Sequence, residues 1–173
     1  MKLIIALLFC TSATFAQVKA KGTDFQLKAG TVTWEKTYEL PGRSAAAINE
    51  TLLAGALTVF DEKKIPPSLS FDITNDKVRL KDFGAKPMST SFLAQLYMNY
   101  HAEISVADGK YTVTLRNIYM DNKDSTQKKA GDISKFICTT SNVSFKTDET
   151  LMKGLGYVDQ HFSNLFKLKS NTQ

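Results

Sequence analysis

Phe92-Leu93-Ala94-Gln95-Leu96-Tyr97-Met98-Asn99-Tyr100-His101-Ala102-Glu103-Ile104-Ser105-Val106 is the stretch whose reading decides the fold. Its even positions, from Phe92 through Val106, are apolar at every step. Its odd positions read Leu93, Gln95, Tyr97, Asn99, His101, Glu103 and Ser105. A period of two sustained over this length is a strand with one face buried and the other solvated. Ala107-Asp108-Gly109-Lys110 follows, and Asp-Gly tolerates the positive φ of a tight turn. Tyr111, Val113, Leu115 and Tyr119 then return on one parity, with Thr112, Thr114 and Arg116 opposite. A long antiparallel hairpin therefore lies at the centre of the fold.

Working outward, residues 31–40 also alternate, with Val32, Trp34, Tyr38 and Leu40 on one parity. Lys36 interrupts that apolar face and marks where the strand reaches an edge. Leu69, Phe71 and Ile73, then Val78 and Leu80, read as two short strands joined at Asn75-Asp76 in a second hairpin. Two segments change period. Ile48, Leu52, Leu53, Ala56, Leu57 and Phe60 recur at three and four residues, a helix over 44–60 capped by Ser44. Leu151, Met152, Leu155, Val158, Phe162, Leu165 and Phe166 form a second stripe, capped by Thr147 or Asp148 and closed by Lys167 and Lys169. Residues 121–132 read as a polar loop, and 133–145 as a short helix ending near Cys138 followed by a brief strand. The expected class is α+β: a curved antiparallel sheet of about five strands with two amphipathic helices packed on one face.

The 173-residue chain carries 22 Lys+Arg against 17 Asp+Glu, a formal charge of +5. Basic and acidic residues are interleaved, as in Glu62-Lys63-Lys64 and Asp121-Asn122-Lys123-Asp124, whereas a nucleic-acid stripe concentrates its cations. Met1-Lys2, the apolar run 3–9 and the small-residue site Thr14-Phe15-Ala16 form an export signal cleaved before Gln17. That run is too short to span a bilayer, so the mature chain has no expected transmembrane segment. Phe9 precedes Cys10 where a lipoprotein signal needs a small residue, which argues against lipid anchoring. Export places the protein in the periplasm or outside the cell. The expected organisation is signal peptide 1–16, lead-in 17–30, one domain over 31–169 and a frayed tail 170–173.

Trp34 and Tyr38 in the opening strand, the helix over 44–60, and the Asp108-Gly109-Lys110-Tyr111 turn leading into Thr112-Val113-Thr114-Leu115 resemble a family of exported Bacteroidetes proteins, the DUF4468 domain of unknown function. The resemblance covers about residues 32–119, and the leader ending Phe15-Ala16-Gln17 fits the same source. It implies a TBP-like fold; a helix-grip-like arrangement is the alternative for the expected sheet and two helices. It brings no catalytic residues, and TBP-like describes shape rather than DNA binding.

Chemistry-bearing residues are sparse. His101 shares the polar parity of the long strand with Asn99 and Glu103, spaced about 7 Å apart along it. A base with its orienting group would look like this, and so would a solvated strand face. His161 lacks a second ligand at helical spacing and reads as a surface helix residue; lone Cys138 reads as a small buried hydrophobe. Asp121 to Ser125 fails as a calcium loop for want of Gly at its sixth position and a closing Glu. No cofactor or metal is expected. Leu93 and Tyr97 fall on the otherwise polar parity, and Tyr119 and Phe83 can join them at one end of the sheet as contacts for a ligand or partner. The favoured function is a non-enzymatic envelope module that binds another protein or a surface component. The alternative is a carrier of a small apolar ligand, and the third reading is a hydrolase using the His101/Glu103 face. Sequence leaves the oligomeric state open.

Overall fold

A computed structural model describes residues 17–60, 68–79, 95–121, 130–141 and 143–169. The leader, Cys10, Phe83, Leu93 and the tail lie outside these residues. In chain order the elements are β1 (Val18–Lys19), β2 (Phe25–Lys28), β3 (Thr31–Glu39), α1 (Ala45–Leu53), β4 (Ser70–Arg79), β5 (Gln95–Ala107), β6 (Lys110–Asp121), β7 (Ala130–Asp132), α2 (Ser134–Ile137) and α3 (Glu149–Leu165). The strands form one antiparallel sheet in the order β1-β2-β3-β6-β5-β4, with β7 pairing the far half of β6. The α+β class holds, but the described residues make seven strands and three helices, more than the five and two expected. The extra strands are short. β1 and β2 occupy the lead-in and β7 the polar loop, where too few residues alternate to announce a strand.

The central hairpin is as expected. Leu96, Met98, Tyr100, Ala102 and Ile104 are buried, together with Tyr111, Val113 and Leu115 across from them. Asp108 also fixes the first helix, its Oδ1 accepting from the Ala45 N–H at 2.7 Å. α1 starts at the Ser44 cap but ends at Leu53, short of Phe60, because Gly55 adopts a φ of 77°. Leu57 and Phe60 are nonetheless buried. They arrive on a bridge residue and the turn after it, laid against the end of α3, where Leu57 bridges Leu168 and Val59 N–H donates to Leu165 O. α3 is capped by Asp148, whose Oδ1 accepts from Leu151 N–H at 2.8 Å; it ends at Leu165, so Lys167 and Lys169 fall beyond it. Phe162 seats α3 on the sheet, with ring centroids 5.0 Å from Tyr100 and 5.6 Å from Trp34. Lys36 stands where β3 has passed the last residue paired by β2, as its interruption of the apolar face suggested.

Two bulges distort the sheet at one level. Asn75 in β4 has φ 58° and Asn117 in β6 has φ 53°, and the registers slip there, between Ile73 and Asp76 and between Asn99 and His101. Asn is among the few residues that enter the left-handed region readily. Asn75-Asp76 is thus no hairpin turn: residues 70–79 are one strand, and the parity change read as a turn is the bulge itself. Each bulge switches the inward parity. In β4 it passes from Phe71 and Ile73 to Asp76 and Val78; in β6, from Leu115 to Ile118 and Met120.

Candidate functional site

The parity switch in β4 carries a carboxylate under α3. Asp76 is only 10% exposed, and its Oδ2 accepts from the Tyr100 hydroxyl at 2.7 Å. His161 of α3, 14% exposed, brings Nε2 to 2.9 and 3.0 Å from the two Asp76 oxygens. His161 is therefore not the solvated helix residue expected from the sequence, since its partner becomes inward-facing only through the bulge. The neighbouring turns of α3 are pinned in the same way. Asp159 Oδ1 accepts from the Trp34 indole N–H at 2.9 Å and from Asp24 N–H at 2.6 Å. The Tyr38 hydroxyl donates to Ser163 O at 2.9 Å, and Lys36 Nζ to Ser163 Oγ at 2.9 Å. Burial would raise the Asp24 carboxyl, but Lys19 and Lys36 override it and hold that group below the usual range.

On the opposite face, which no helix among the described residues covers, β5 presents Tyr97, Asn99, His101, Glu103 and Ser105. Sequence reasoning grouped His101 with Asn99 and Glu103 along the strand. The structure gives His101 closer partners across it. Its Nδ1 lies 2.8 Å from Asp72 Oδ1 and its Nε2 3.0 Å from Ser70 Oγ, both on β4. Glu103 Oε1 is farther, 3.9 Å from Nε2, and its other oxygen pairs with Arg116 at 3.2 Å. Asn99 turns away to the bulge, where its Oδ1 accepts from Asn75 N–H at 2.7 Å. These cross-strand partners depend on the β4–β5 register, which no spacing within one strand reveals.

A third group occupies the end of the same face. Tyr97 pairs in register with Asp121, and Tyr119 with Asn99, so the two tyrosines are diagonal neighbours, a separation of about 7–8 Å that aromatic side chains can span. Lys77 Nζ stands 5.5 Å from the Tyr97 ring centroid. Tyr119 was read on the parity of Tyr111, Val113 and Leu115; the β6 bulge turns it outward, leaving it 42% exposed.

Below the sheet, Leu96, Met120, Ile137, Leu155 and Val158 line an apolar cavity of about 10 Å³. That is room for roughly one water, far from the several hundred Å³ an apolar ligand occupies. Met98 and Tyr100, on the same face as Leu96, are packed in the core. Among the described residues no cluster of three or more His, Cys, Asp or Glu could hold a metal ion. Burial pushes the Cys138 thiol up, keeping it protonated and unreactive.

No family model matches the chain, and no curated protein matches it by sequence. Its architecture does find counterparts. The chain is similar to the crystal structure of a TBP-like protein from Parabacteroides distasonis ATCC 8503, with a TM-score of 0.52 at 14% identity, over 80% of this chain and 92% of that one. The fold is TBP-like. A DUF4468 family protein from Bacteroides ovatus ATCC 8483 is also similar, with a TM-score of 0.46 at 15% identity over 78% of this chain and 83% of that one. This TBP-like chain presents its sheet with helices packed on one side and the Ser70–His101 and Tyr97–Tyr119 groups on the other.

Proposed function

We propose that this chain is an exported, non-enzymatic envelope domain that binds a protein or surface component through the Tyr97–Tyr119 end of its outer sheet face. The observation that supports this most is the position of Tyr119: a large aromatic turned outward by a bulge, beside Tyr97 and Lys77 on an otherwise polar face. Aromatic side chains with a polar tip contribute strongly to recognition because they bury much area with few rotatable bonds. The leader over residues 1–16 would deliver the domain across the inner membrane, and no helix among the described residues is long and apolar enough to cross one.

The test is photo-crosslinking in the native envelope. A photoreactive side chain at position 119 is expected to give one discrete higher-mass adduct that is lost on Tyr97→Ala. The same group at position 37, exposed on the same face at β3, is expected to give none. Equal adducts at both positions, or none at 119, would overturn the reading.

A further inference from the structure

The Ser70–His101–Asp72 arrangement has a chemical consequence of its own, independent of what binds at the tyrosines. A carboxylate only accepts, so the 2.8 Å contact with Asp72 places the imidazole proton on Nδ1 and leaves the Nε2 lone pair facing Ser70 Oγ at 3.0 Å. That is the connectivity of a serine activated by an oriented general base, within the reach such a base needs. We propose that Ser70 is a base-activated nucleophile on the outer sheet face, acylated at Oγ by activated esters or thioesters, with His101 as the base and Asp72 as its positioning carboxylate.

In that step the Ser70 Oγ–C bond forms as the donor's C–O or C–S bond breaks. The hydroxyl proton passes to His101 Nε2 and then to the departing alkoxide or thiolate. The same surroundings keep this chemistry slow, because acylation also passes through an oxyanion that needs donors. The Ser70 N–H, the donor that a nucleophilic serine commonly offers to an oxyanion, is engaged by Ser68 Oγ at 3.2 Å. Ser70 itself is exposed on its strand face. The result is a modification site rather than a turnover site. Glu103, held by Arg116, flanks Nε2 at 3.9 Å, so both charges belong to the base's surroundings.

The full chain is incubated with p-nitrophenyl acetate, and the acetyl groups are located by peptide mass spectrometry. Acetyl-Ser70 is expected to form at least tenfold faster than acetyl-Ser68 or acetyl-Ser105. The rate at Ser70 should fall about 100-fold in His101→Gln, in line with the weight of a general base, and by a smaller factor in Asp72→Asn. Circular dichroism of both variants checks that the fold is kept. Label at Ser70 no higher than at Ser68 and Ser105, label unchanged by His101→Gln, or label on His101 in place of Ser70 would each overturn the proposal.

Discussion

Strands β4 and β5 contribute to two clusters of related composition on opposite faces. Under α3, Asp76 meets His161 and the Tyr100 hydroxyl; on the open face, Asp72 meets His101 and Ser70 reaches the same ring. Both join a histidine, an aspartate and a hydroxyl at similar distances. Their surroundings differ: Asp76 is 10% exposed and Asp72 is 78% exposed. Removing one partner from the covered cluster strands desolvated polar groups, so that cluster is a clamp between helix and sheet. The open cluster is reached by solvent through its largely exposed Asp72, contributes little to stability, and remains accessible to reagents. A histidine–aspartate pair with a hydroxyl thus serves architecture or reactivity according to which face it occupies.

Raising the pH should break the covered side first and most deeply. Burial, reinforced by Asp76, raises the Tyr100 hydroxyl; burial, with Tyr111 stacked against it, raises Tyr38; burial also pushes Tyr111 up to about 12. A raised tyrosine keeps its proton in the folded state while the unfolded chain ionises near 10. The stability is therefore complete below pH 10 and is lost as pH rises toward 12 and beyond. Denaturant melts should hold a constant midpoint from pH 7 to about 9 and fall steeply above 10; a flat profile to pH 12 would remove the premise that these hydroxyls are desolvated.

Asp76→Asn sharpens the contrast at neutral pH. It leaves His161 facing an amide in place of a carboxylate within the covered cluster, at an expected loss of about 2–3 kcal/mol in urea unfolding. The matching change on the other face, Asp72→Asn, is expected to shift stability by less than about 0.5 kcal/mol, since water replaces what is lost. Equal losses from the two substitutions would show that the faces are not energetically distinct.

Much of the scaffold was legible in the sequence because it rests on long, regular periods. Residues 95–107 alternate without interruption, α3 shows its stripe, and Ser44 and Asp148 cap helices where expected. The errors cluster where one residue changes a phase. A parity change at Asn75 looks the same whether the chain reverses or bulges, and only pairing with β5 separates the two. The same ambiguity at Asn117 misplaced Tyr119, and the inward turn of Asp76 hid the partner of His161. The open-face cluster was half visible: His101 was singled out, but Ser70 and Asp72 belong to a strand far from it in sequence.

The two bulges bear on how such chains are to be aligned. Each sets two residues opposite a single residue of β5, and the pairs on either side keep their partners. Excising Asn75 would still leave Ile73 and Asp76 facing inward, and excising Asn117 would do the same for Leu115 and Ile118. Chain length can therefore change by one at these points without reassigning any neighbour. A relative without one of these bulges would need its gap inside β4 or β6, and a comparison that kept the strand unbroken would shift everything beyond it by one.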